Sequence, residues 1–318
     1  MRATAQAQPN IALVKYWGKR DVELNLPAVG SLSITLDSLW TRMSVRFTDQ
    51  PNDVLEVNGA VAPSMLARVS LCLDLVAGCQ RSRASVVSES NFPIAAGLAS
   101  SASAFAALAV AANEAAGTGL DRQSLARLAG TVSGSAARSL YGGFVELTPA
   151  AEGVDVRPLC DGRDWPLEVI VAVTEEGPKA VGSGEAMLRS AETSPFYPAW
   201  VSQQDADMQT ARDAVAAKDF AALAEVAEHN CLKMHSVMWS SRPPIVYWSK
   251  ATLACMETIR SLQAAGEAVF FTIDAGPQVK AVCLPASSAA AERALQQTPG
   301  VIRTVRSTLG HGARLLDT

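Results

Sequence analysis

The sequence lacks the features that mark metal-binding, nucleic-acid-binding and membrane-spanning proteins. Its six cysteines are scattered, and no CxxC pair or Cys/His cluster has the spacing of a zinc site. The net charge of −4 supplies no basic field for nucleic acid. Outside one alanine-rich stretch that carries Asn113 and Glu114, no run approaches the ~20 apolar residues of a membrane span, and no apolar signal segment precedes Lys15. We therefore expect a cytoplasmic protein with free thiols, no nucleic-acid partner and no membrane segment.

Internal repeats, heptad runs and low-complexity tracts are also missing. What the chain has is length, because 318 residues of which 49% are hydrophobic can build two cores. Proline and glycine cluster between residues 149 and 166. There we place the boundary between a predicted N-terminal domain, residues 1–165, and a predicted C-terminal domain, residues 166–318.

Both halves mix strands and helices. Apolar and polar residues alternate over 31–37, 42–48 and 53–57, and Asn58-Gly59 signals a turn, which together predict a meander. A helix is predicted over 64–79, a strand over 84–90 and a buried helix over about 101–116. In the second half we predict strands at 167–173, 269–276 and 279–285, and helices at 204–217, 219–237, 244–264 and 287–297. Without a long run of βαβ units, this order favours an α+β fold.

The most informative stretch is PIAAGLASSA, residues 93–102, directly before the alanine-rich helix. Small residues let the backbone approach a triphosphate closely, and the free N–H groups at a helix start bind anions. The GK[ST] ending of a Walker A loop is absent. Ser100 and Ser101 could cap the helix or reach phosphate oxygens and Mg²⁺. Without further context, a small-residue turn entering a buried helix explains the stretch equally well.

Four motifs together carry a family resemblance. The pattern P-x3-G-L-x-S-S-A resembles the signature loop of the kinases for galactose, homoserine, mevalonate and phosphomevalonate, the GHMP kinases. NIALVKYWGKRD (10–21), SGSAARSLYGG (133–143) and DAGP (274–277) resemble the motifs of the mevalonate diphosphate decarboxylases within that superfamily. The resemblance runs from residue 10 to about residue 280. It implies a two-domain fold with a ribosomal-protein-S5-like N-terminal half, a ferredoxin-like C-terminal half and an active-site cleft between them.

The resemblance also implies an activity: ATP- and Mg²⁺-dependent decarboxylation of mevalonate 5-diphosphate to isopentenyl diphosphate, ADP, phosphate and CO2. It assigns the substrate hydroxyl to Asp274, as base or orienting group, and the substrate carboxylate to Arg138. Lys15 would support Asp274 and the transferring phosphoryl group. Homodimers are common in the family, although nothing in this sequence identifies an interface.

The resemblance further implies two sets of binding residues. Those for the substrate and its phosphate tail are Tyr16, Trp17, Gly18, Lys19, Arg68, Ser133, Gly134, Ser135, Ala136, Ala137 and Ser183. Those for ATP are Pro93, Ala96, Gly97, Leu98, Ala99, Ser100 and Ser101, with the metal held mainly through the ATP phosphates. Considered singly, Asp274 could be a turn former and the cations could be solvated surface charges. His235 is expected to be a hydrogen-bonded structural histidine.

Two segments depart from the family pattern. Val29 stands where the family commonly has asparagine, and Gly182 and Gly184 flank Ser183 where the family usually has further hydroxyl or cationic side chains. Fewer donors for a second phosphate leave open a phosphomevalonate decarboxylase that makes isopentenyl phosphate. A kinase that stops at the 3-phosphate and a non-catalytic nucleotide-binding scaffold are the remaining alternatives.

Overall fold

The computed structural model describes residues 2–92, 99–151, 153–177 and 179–317. Within these residues the strands are β1 Arg2–Ala7, β2 Asn10–Val14, β3 Lys19–Asp21, β4 Leu26–Pro27, β5 Ser31–Thr35, β6 Thr41–Thr48, β7 Val54–Val57, β8 Ala60–Val61, β9 Arg83–Ser90, β10 Phe144–Ala150, β11 Gly153–Cys160, β12 Glu168–Val173, β13 Val269–Ile273, β14 Val279–Cys283, β15 Arg303–Thr308 and β16 Arg314–Leu316. The helices are α1 Pro63–Ala77, α2 Ser100–Ala116, α3 Arg122–Val132, α4 Ala136–Ser139, α5 Ser183–Thr193, α6 Tyr197–Ala217, α7 Phe220–Trp239, α8 Lys250–Ala264 and α9 Pro285–Gln296.

The strands form a six-stranded sheet in the order β16-β1-β6-β9-β7-β8, two four-stranded sheets in the orders β11-β10-β5-β2 and β13-β14-β12-β15, and a small β3-β4 pair. Helices and strands are mixed in both halves, which confirms the α+β prediction. The first four-stranded sheet and the six-stranded sheet are built mainly from the N-terminal half. The sheet containing β12 to β15 is built from the C-terminal half.

The predicted meander is wrong. β5 lies in a different sheet from β6, and β7 runs parallel to β9 instead of pairing with β6. Alternation of apolar and polar residues reports that a segment is extended, but it carries no information about its partner strand. The turn at Asn58-Gly59 is present, with positive φ at both residues, and it joins β7 to the short β8.

The other predicted helices and strands are present with small shifts at their ends. The largest shift is in the helix predicted from residue 204, which begins at Tyr197, and the helix predicted from residue 244 begins at Lys250. Ser249 is its N-cap, and its side chain accepts from the Thr252 amide while the Thr252 hydroxyl accepts from the Ser249 amide. This capping box fixes the start of α8, and the two prolines at 243 and 244 lie in the preceding irregular segment.

The N-terminal core forms around the alanine-rich α2, which packs on β1 and β6 with α1 and α3 beside it. Its buried alanines bring the helix backbone close to the sheet, which a larger side chain would prevent. Among the described helices, none combines the length and the apolar character that crossing a bilayer requires.

A second core joins the two halves. It contains Ile11 and Leu13 of β2 together with Val169 and Val171 of β12 and Phe270 of β13. The last strand, β16, also returns to pair with β1 at the start of the chain. The ends of β2 and β13 therefore lie against one another, and the Thr272 hydroxyl donates to the Ala12 carbonyl across this contact at 3.1 Å.

Candidate active site

Asp274 lies between two buried lysines. Its Oδ1 is 2.8 Å from Lys15 Nζ and its Oδ2 is 3.2 Å from Lys280 Nζ. Both lysine side chains are 1% exposed, whereas the carboxylate is 27% exposed and reaches solvent. Lys15 Nζ also donates to the Ala12 carbonyl at 2.8 Å. Two ammonium groups thus fix both oxygens of one accessible carboxylate.

The strand ends explain this arrangement. Lys15 directly follows β2, and Asp274 directly follows β13, so the contact between the two strands brings them together. Lys280 lies on β14, where it is the register partner of Thr272 on β13. Burial alone would raise the pKa of Asp274, but the adjacent ammonium groups outweigh it and hold this pKa well below its usual range. The carboxylate is therefore ionised at neutral pH.

Arg138 is a buried cation near this group. It is 2% exposed, and in the part of the chain that the structure describes its guanidinium donates only to neutral oxygens. These are Ser31 Oγ at 2.5 Å, Ser33 Oγ at 3.0 Å and Asn10 Oδ1 at 3.2 Å. Burial lowers the pKa of Arg138 to about 10, so the group stays charged at neutral pH. A buried guanidinium held by neutral groups retains its full attraction for an anion.

The segment from Ser133 to Ala137 connects this arginine to the phosphate loop. Ser133 Oγ is 3.4 Å from Ser101 Oγ, and the Ser135 carbonyl accepts from Asn10 Nδ2 at 2.9 Å. A Cβ added at Gly134 would overlap the Tyr16 hydroxyl, so only glycine lets the ring approach there. The two remaining residues of the segment are fully buried in α4: Ala136 and Ala137.

Three of the predicted substrate residues form a second polar group. Burial, and then the nearby Arg68 charge, lower the pKa of Lys19. Arg68 donates to the Val132 carbonyl at 2.9 Å, and its guanidinium lies over the Phe105 ring at 4.6 Å. Burial raises the pKa of Tyr16 to about 12, so its hydroxyl remains a hydrogen-bond donor. Lys19 and Arg68 are therefore close cations, an arrangement suited to a polyphosphate group.

Trp17 and Gly18 of the same motif face α6. The Trp17 carbonyl accepts from Trp200 Nε1 at 3.0 Å, and the Trp17 side chain is 1% exposed. Gly18 has a φ of +99°, and a Cβ there would overlap the Tyr197 hydroxyl. These contacts give both residues a role in shaping the turn that separates Tyr16 from Lys19.

The start of α2 differs from the prediction. Ala99, with a left-handed φ of 53°, is the N-cap, Ser100 and Ser101 are the first helical residues, and among the described residues no side chain caps the helix. The prediction that either serine caps α2 is wrong, because the helix begins one residue earlier than expected. The other predicted ATP contacts lie outside the described residues: Pro93, Ala96, Gly97 and Leu98. In the described ranges, no three His, Cys, Asp or Glu side chains group as metal ligands.

Lys179 is a residue that the sequence reasoning missed. Its Nζ donates to Ser183 Oγ at 2.7 Å and to the Ala275 carbonyl at 2.8 Å, so it links the start of α5 to the turn that carries Asp274. Burial, and then the nearby Lys280 charge, lower the pKa of Lys179. Lys280 was missed as well. Its only signal in the sequence is a lysine enclosed by apolar residues in the strand VKAVC.

Helix α7 contacts the ends of both β2 and β13. Asn230 Oδ1 accepts from the Lys15 amide at 2.7 Å, and Asn230 Nδ2 donates to Gln204 Oε1 at 3.0 Å. Gln204 Nε2 in turn donates to the Lys15 carbonyl at 2.8 Å. On the next residue of the helix, Cys231 Sγ accepts from the Ile273 amide at 3.2 Å. The backbones on either side of the Lys15–Asp274 pair are thus held by one helix.

His235, also on α7, is buried and hydrogen-bonded, as expected for a structural histidine. Its Nε2 lies 3.3 Å from the Ile273 carbonyl oxygen and 3.2 Å from Trp248 Nε1. Burial, with the nearby Lys15 charge, lowers the pKa of His235 to about 3, so the ring is neutral. This excludes His235 as a base that is protonated and deprotonated near neutral pH.

Comparison with known proteins decides the family. The profile of the diphosphomevalonate decarboxylase-like N-terminal domain matches residues 7–157, and that of the mevalonate 5-diphosphate decarboxylase C-terminal domain matches residues 169–305. The chain belongs to the diphosphomevalonate decarboxylase family. The enzyme of this name from Saccharomyces cerevisiae is 34% identical over 86% of this chain and 76% of its own length, and the Homo sapiens enzyme is 34% identical over 86% and 74%.

Solved structures of the family have the same fold. Mevalonate diphosphate decarboxylase from Staphylococcus aureus matches with a TM-score of 0.93 and 35% identity over 99% of this chain and 98% of that one. The Enterococcus faecalis enzyme matches with a TM-score of 0.90 and 36% identity over 100% and 99%. A complex of MDDEF with MVAPP, AMPPCP and magnesium matches with a TM-score of 0.92, 36% identity and the same coverage. The predicted two-domain GHMP kinase fold is confirmed.

Proposed function

We propose that this decarboxylase family member converts mevalonate 5-diphosphate to isopentenyl diphosphate, using ATP and releasing ADP, phosphate and CO2. The observation that carries the proposal is the meeting of Asp274, Lys15 and Arg138 from three distant segments. The names of the relatives and the ligands of the MDDEF complex support the same reaction.

The first step transfers a phosphoryl group to a tertiary hydroxyl that lies β to the substrate carboxylate. An ionised Asp274 accepts a hydrogen bond from this hydroxyl and so orients its oxygen toward the γ-phosphorus. Because the carboxylate is weakly basic, the proton passes from the hydroxyl to Asp274 only as the new P–O bond forms and the bond from the γ-phosphorus to ADP breaks. The Lys15 ammonium lies 2.8 Å from Asp274 and offsets the negative charge of the phosphoryl group during its transfer.

The second step breaks two bonds. The C–O bond to the new phosphate breaks and phosphate leaves, and the C–C bond to the carboxylate breaks to release CO2. The electron pair of the C–C bond becomes the alkene. Arg138 is the residue suited to hold the carboxylate for this step, because its planar guanidinium is buried, charged and oriented by neutral oxygens.

The remaining polar residues fit the phosphates. Lys19 and Arg68 are neighbouring cations, and Arg68 donates to the Val132 carbonyl beside Ser133, so these residues are suited to the phosphate tail of the substrate. Ala99 to Ser101 form the start of α2, and the positive end of the helix dipole there suits the ATP phosphates. Mg²⁺ would be bound mainly through these phosphates, and the Ser100 or Ser101 hydroxyl could add a ligand. The MDDEF complex with AMPPCP and magnesium supports the use of a nucleotide together with Mg²⁺.

One observation favours the monophosphate as an alternative substrate. Gly182 and Gly184 are exposed, and a Cβ added at either would meet no atom within 4 Å. The fold therefore does not require glycine there, and the missing side chains are donors that the chain could have carried. A site with fewer donors would lose more binding energy for a second phosphate than for the first.

A parallel assay of ADP and CO2 release tests these possibilities, with mevalonate, its monophosphate and its diphosphate as substrates. We expect equal release of ADP and CO2 with the diphosphate. A kcat/KM at least tenfold higher for the diphosphate, which corresponds to about 1.4 kcal/mol, would exclude the monophosphate enzyme. Release of ADP without CO2 would indicate a 3-kinase, and no turnover of any of them would contradict the proposed function.

A further inference from the structure

Lys280 is a buried lysine with no role assigned in the reaction described above. Its side chain is 1% exposed, and its Nζ lies 3.2 Å from Asp274 Oδ2. Lys15 binds the other oxygen of the same carboxylate, at 2.8 Å. Lys280 lies in the middle of β14, paired with β13 on one side and with β12 on the other. Its position is therefore fixed by the sheet, whereas Lys15 is fixed by the N-terminal half.

Stability alone does not account for a lysine at this position. Moving an ammonium group out of water is costly, and a buried ion pair often stabilises a fold less than apolar side chains of similar size would. Side chains alternate along a strand, so the apolar neighbours Val279 and Ala281 project to the other face of β14. The ammonium of Lys280 lies at Asp274, where Lys15 already supplies one positive charge, and this second charge points to a role in orienting the carboxylate.

We propose that Lys280 is a positioning residue for the decarboxylation, acting through Asp274. The bond from Lys280 to Oδ2 prevents the Asp274 carboxylate from rotating. The exposed side of the carboxylate therefore keeps one orientation toward the substrate hydroxyl. With Lys15 on Oδ1, Lys280 also keeps the carboxylate ionised while the hydroxyl is phosphorylated. This inference rests on the proposed function, because it assigns Asp274 to the hydroxyl.

Several other titratable groups lie close enough to Asp274 or to its two lysines to affect the pKa of Asp274. Burial keeps two of them uncharged, His235 with a lowered pKa and Cys231 with a raised pKa. The cations are Lys15 after β2, Lys280 on β14, Lys179 before α5 and Arg138 on α4. Removing the charge of Lys280 alone should raise the pKa of Asp274, since one of its two direct partners is lost.

Lys280→Met is the decisive variant, because methionine keeps the length of the side chain and suits a buried strand. We expect kcat for CO2 release to fall at least tenfold while KM for both substrates stays within threefold. The low-pH limb of the kcat profile should move to higher pH by at least one unit relative to wild type. A residue that serves only the fold would leave this limb where it is.

Arg212→Met is the matched control. Glu146 is also a buried carboxylate held by two cations, with Arg157 Nε at 2.7 Å and Arg212 Nε at 2.5 Å. Arg212→Met removes one cation from such a carboxylate on β10, outside the site. We expect loss of stability in this variant and wild-type kcat. An equal loss of kcat in both variants would overturn the proposal, because the effect would then be a general one of breaking a buried ion pair.

A measurement that needs no turnover distinguishes a positioning role of Lys280 at Asp274 from a purely structural role. The carboxyl carbon of Asp274 can be titrated by 13C NMR and assigned by the loss of its signal in Asp274→Asn. We expect its midpoint to rise by at least one pH unit in Lys280→Met. An unchanged midpoint with unchanged kcat would overturn the role of Lys280, as would a raised KM with wild-type kcat, which would mean direct substrate binding. A wild-type protein that fails to release CO2 would instead contradict the proposed function.

Discussion

At the scale of single residues, Asp274 is the group whose chemistry is most directly testable. Asp274→Asn keeps the shape and can still accept one hydrogen bond, but the amide has no negative charge and two ammonium groups then face each other across it. We expect kcat to fall by at least about 10²-fold. Binding of the substrate, measured by calorimetry, should change only a few fold.

The control for this change is Asp161→Asn, an exposed carboxylate paired with Arg163 at 3.0 Å in a surface turn. It makes the same chemical substitution away from the site, and we expect wild-type kcat. An Asp274→Asn protein with unchanged kcat would show that the hydroxyl is oriented by another group.

Arg138→Lys tests the guanidinium. Arg138 donates from three nitrogens to Ser31, Ser33 and Asn10, and an ammonium cannot keep this planar set of bonds while facing a carboxylate. We expect kcat/KM for decarboxylation to fall at least about 10²-fold. Arg122→Lys is a suitable control, since Arg122 donates to the Leu140 carbonyl just beyond α4. Activity near wild type in Arg138→Lys would place the substrate carboxylate elsewhere.

The residues that sequence reasoning identified are those that lie in motifs. Asp274, Lys15 and Arg138 each occur in a stretch that resembles the family, and the structure brings Asp274 and Lys15 into direct contact. Lys280 and Lys179 lie in no such stretch. Lys280 reaches Asp274 only because β13 and β14 are antiparallel, and Lys179 reaches the Asp274 turn across 96 residues of sequence. The spacing of residues in the sequence does not reveal that either lysine lies near Asp274.

At the scale of elements, α7 is the helix that holds the two catalytic strand ends together. Asn230→Ala would remove the hydrogen-bond partner of the buried Lys15 amide and of Gln204 Oε1, which costs about 1–3 kcal/mol. It would also loosen Lys15 relative to Asp274. We therefore expect both a lower free energy of unfolding in urea and a kcat reduced by about tenfold or more.

The same helix provides its own control. Asp219 is the N-cap of α7, and its side chain accepts from the Ala222 amide at 3.0 Å. Asp219→Ala should cost about 1 kcal/mol of stability and leave kcat unchanged, because the cap lies about three helical turns before Asn230. If both variants lose activity in proportion to stability, α7 has no specific role in positioning Lys15.

Elements were predictable to different degrees for a physical reason. A helix buries one face of a continuous segment, so residues such as Val69, Leu73 and Val76 of α1 reveal it locally. A strand is stabilised by partners that are distant in sequence. All five residues of β5 are buried, including the hydroxyls of Ser31 and Ser33 that bind Arg138, and nothing in that segment alone indicates this.

At the scale of the whole molecule, the site depends on packing between the halves. The core that contains Leu13 and Phe270 is shared by β2 and β13, and these are the strands that end in Lys15 and Asp274. The division at residue 165 stays a prediction, with the two family profiles ending at 157 and beginning at 169. A cut at that division would separate the two halves of the ion pair, so the site requires both halves.

The stability of the whole fold should depend on pH through Asp53. Asp53 directly precedes β7 and accepts from Arg81, from the Ser70 hydroxyl and from the Ala84 amide, which joins α1, β7 and β9. Burial would raise the pKa of Asp53, but these hydrogen bonds outweigh it and hold the pKa well below its usual range. The contribution of Asp53 to the free energy of unfolding is complete above the pKa of about 3.9 that an aspartate has in the unfolded chain. It is lost as the pH falls toward the lower pKa of Asp53 in the folded protein.

Urea unfolding at pH 7, 5 and 3 measures this effect. The wild type should lose stability below pH 5, as protons bind the unfolded chain more tightly than the native one. Asp53→Asn should be less stable by about 1–3 kcal/mol at pH 7, because the buried Arg81 loses one of its two carboxylate partners and keeps only Asp74. Its loss between pH 5 and pH 3 should be smaller than that of the wild type, since the carboxyl that responds to acid is gone. Equal losses in the two proteins would mean that other carboxylates, such as Glu146, account for the acid sensitivity.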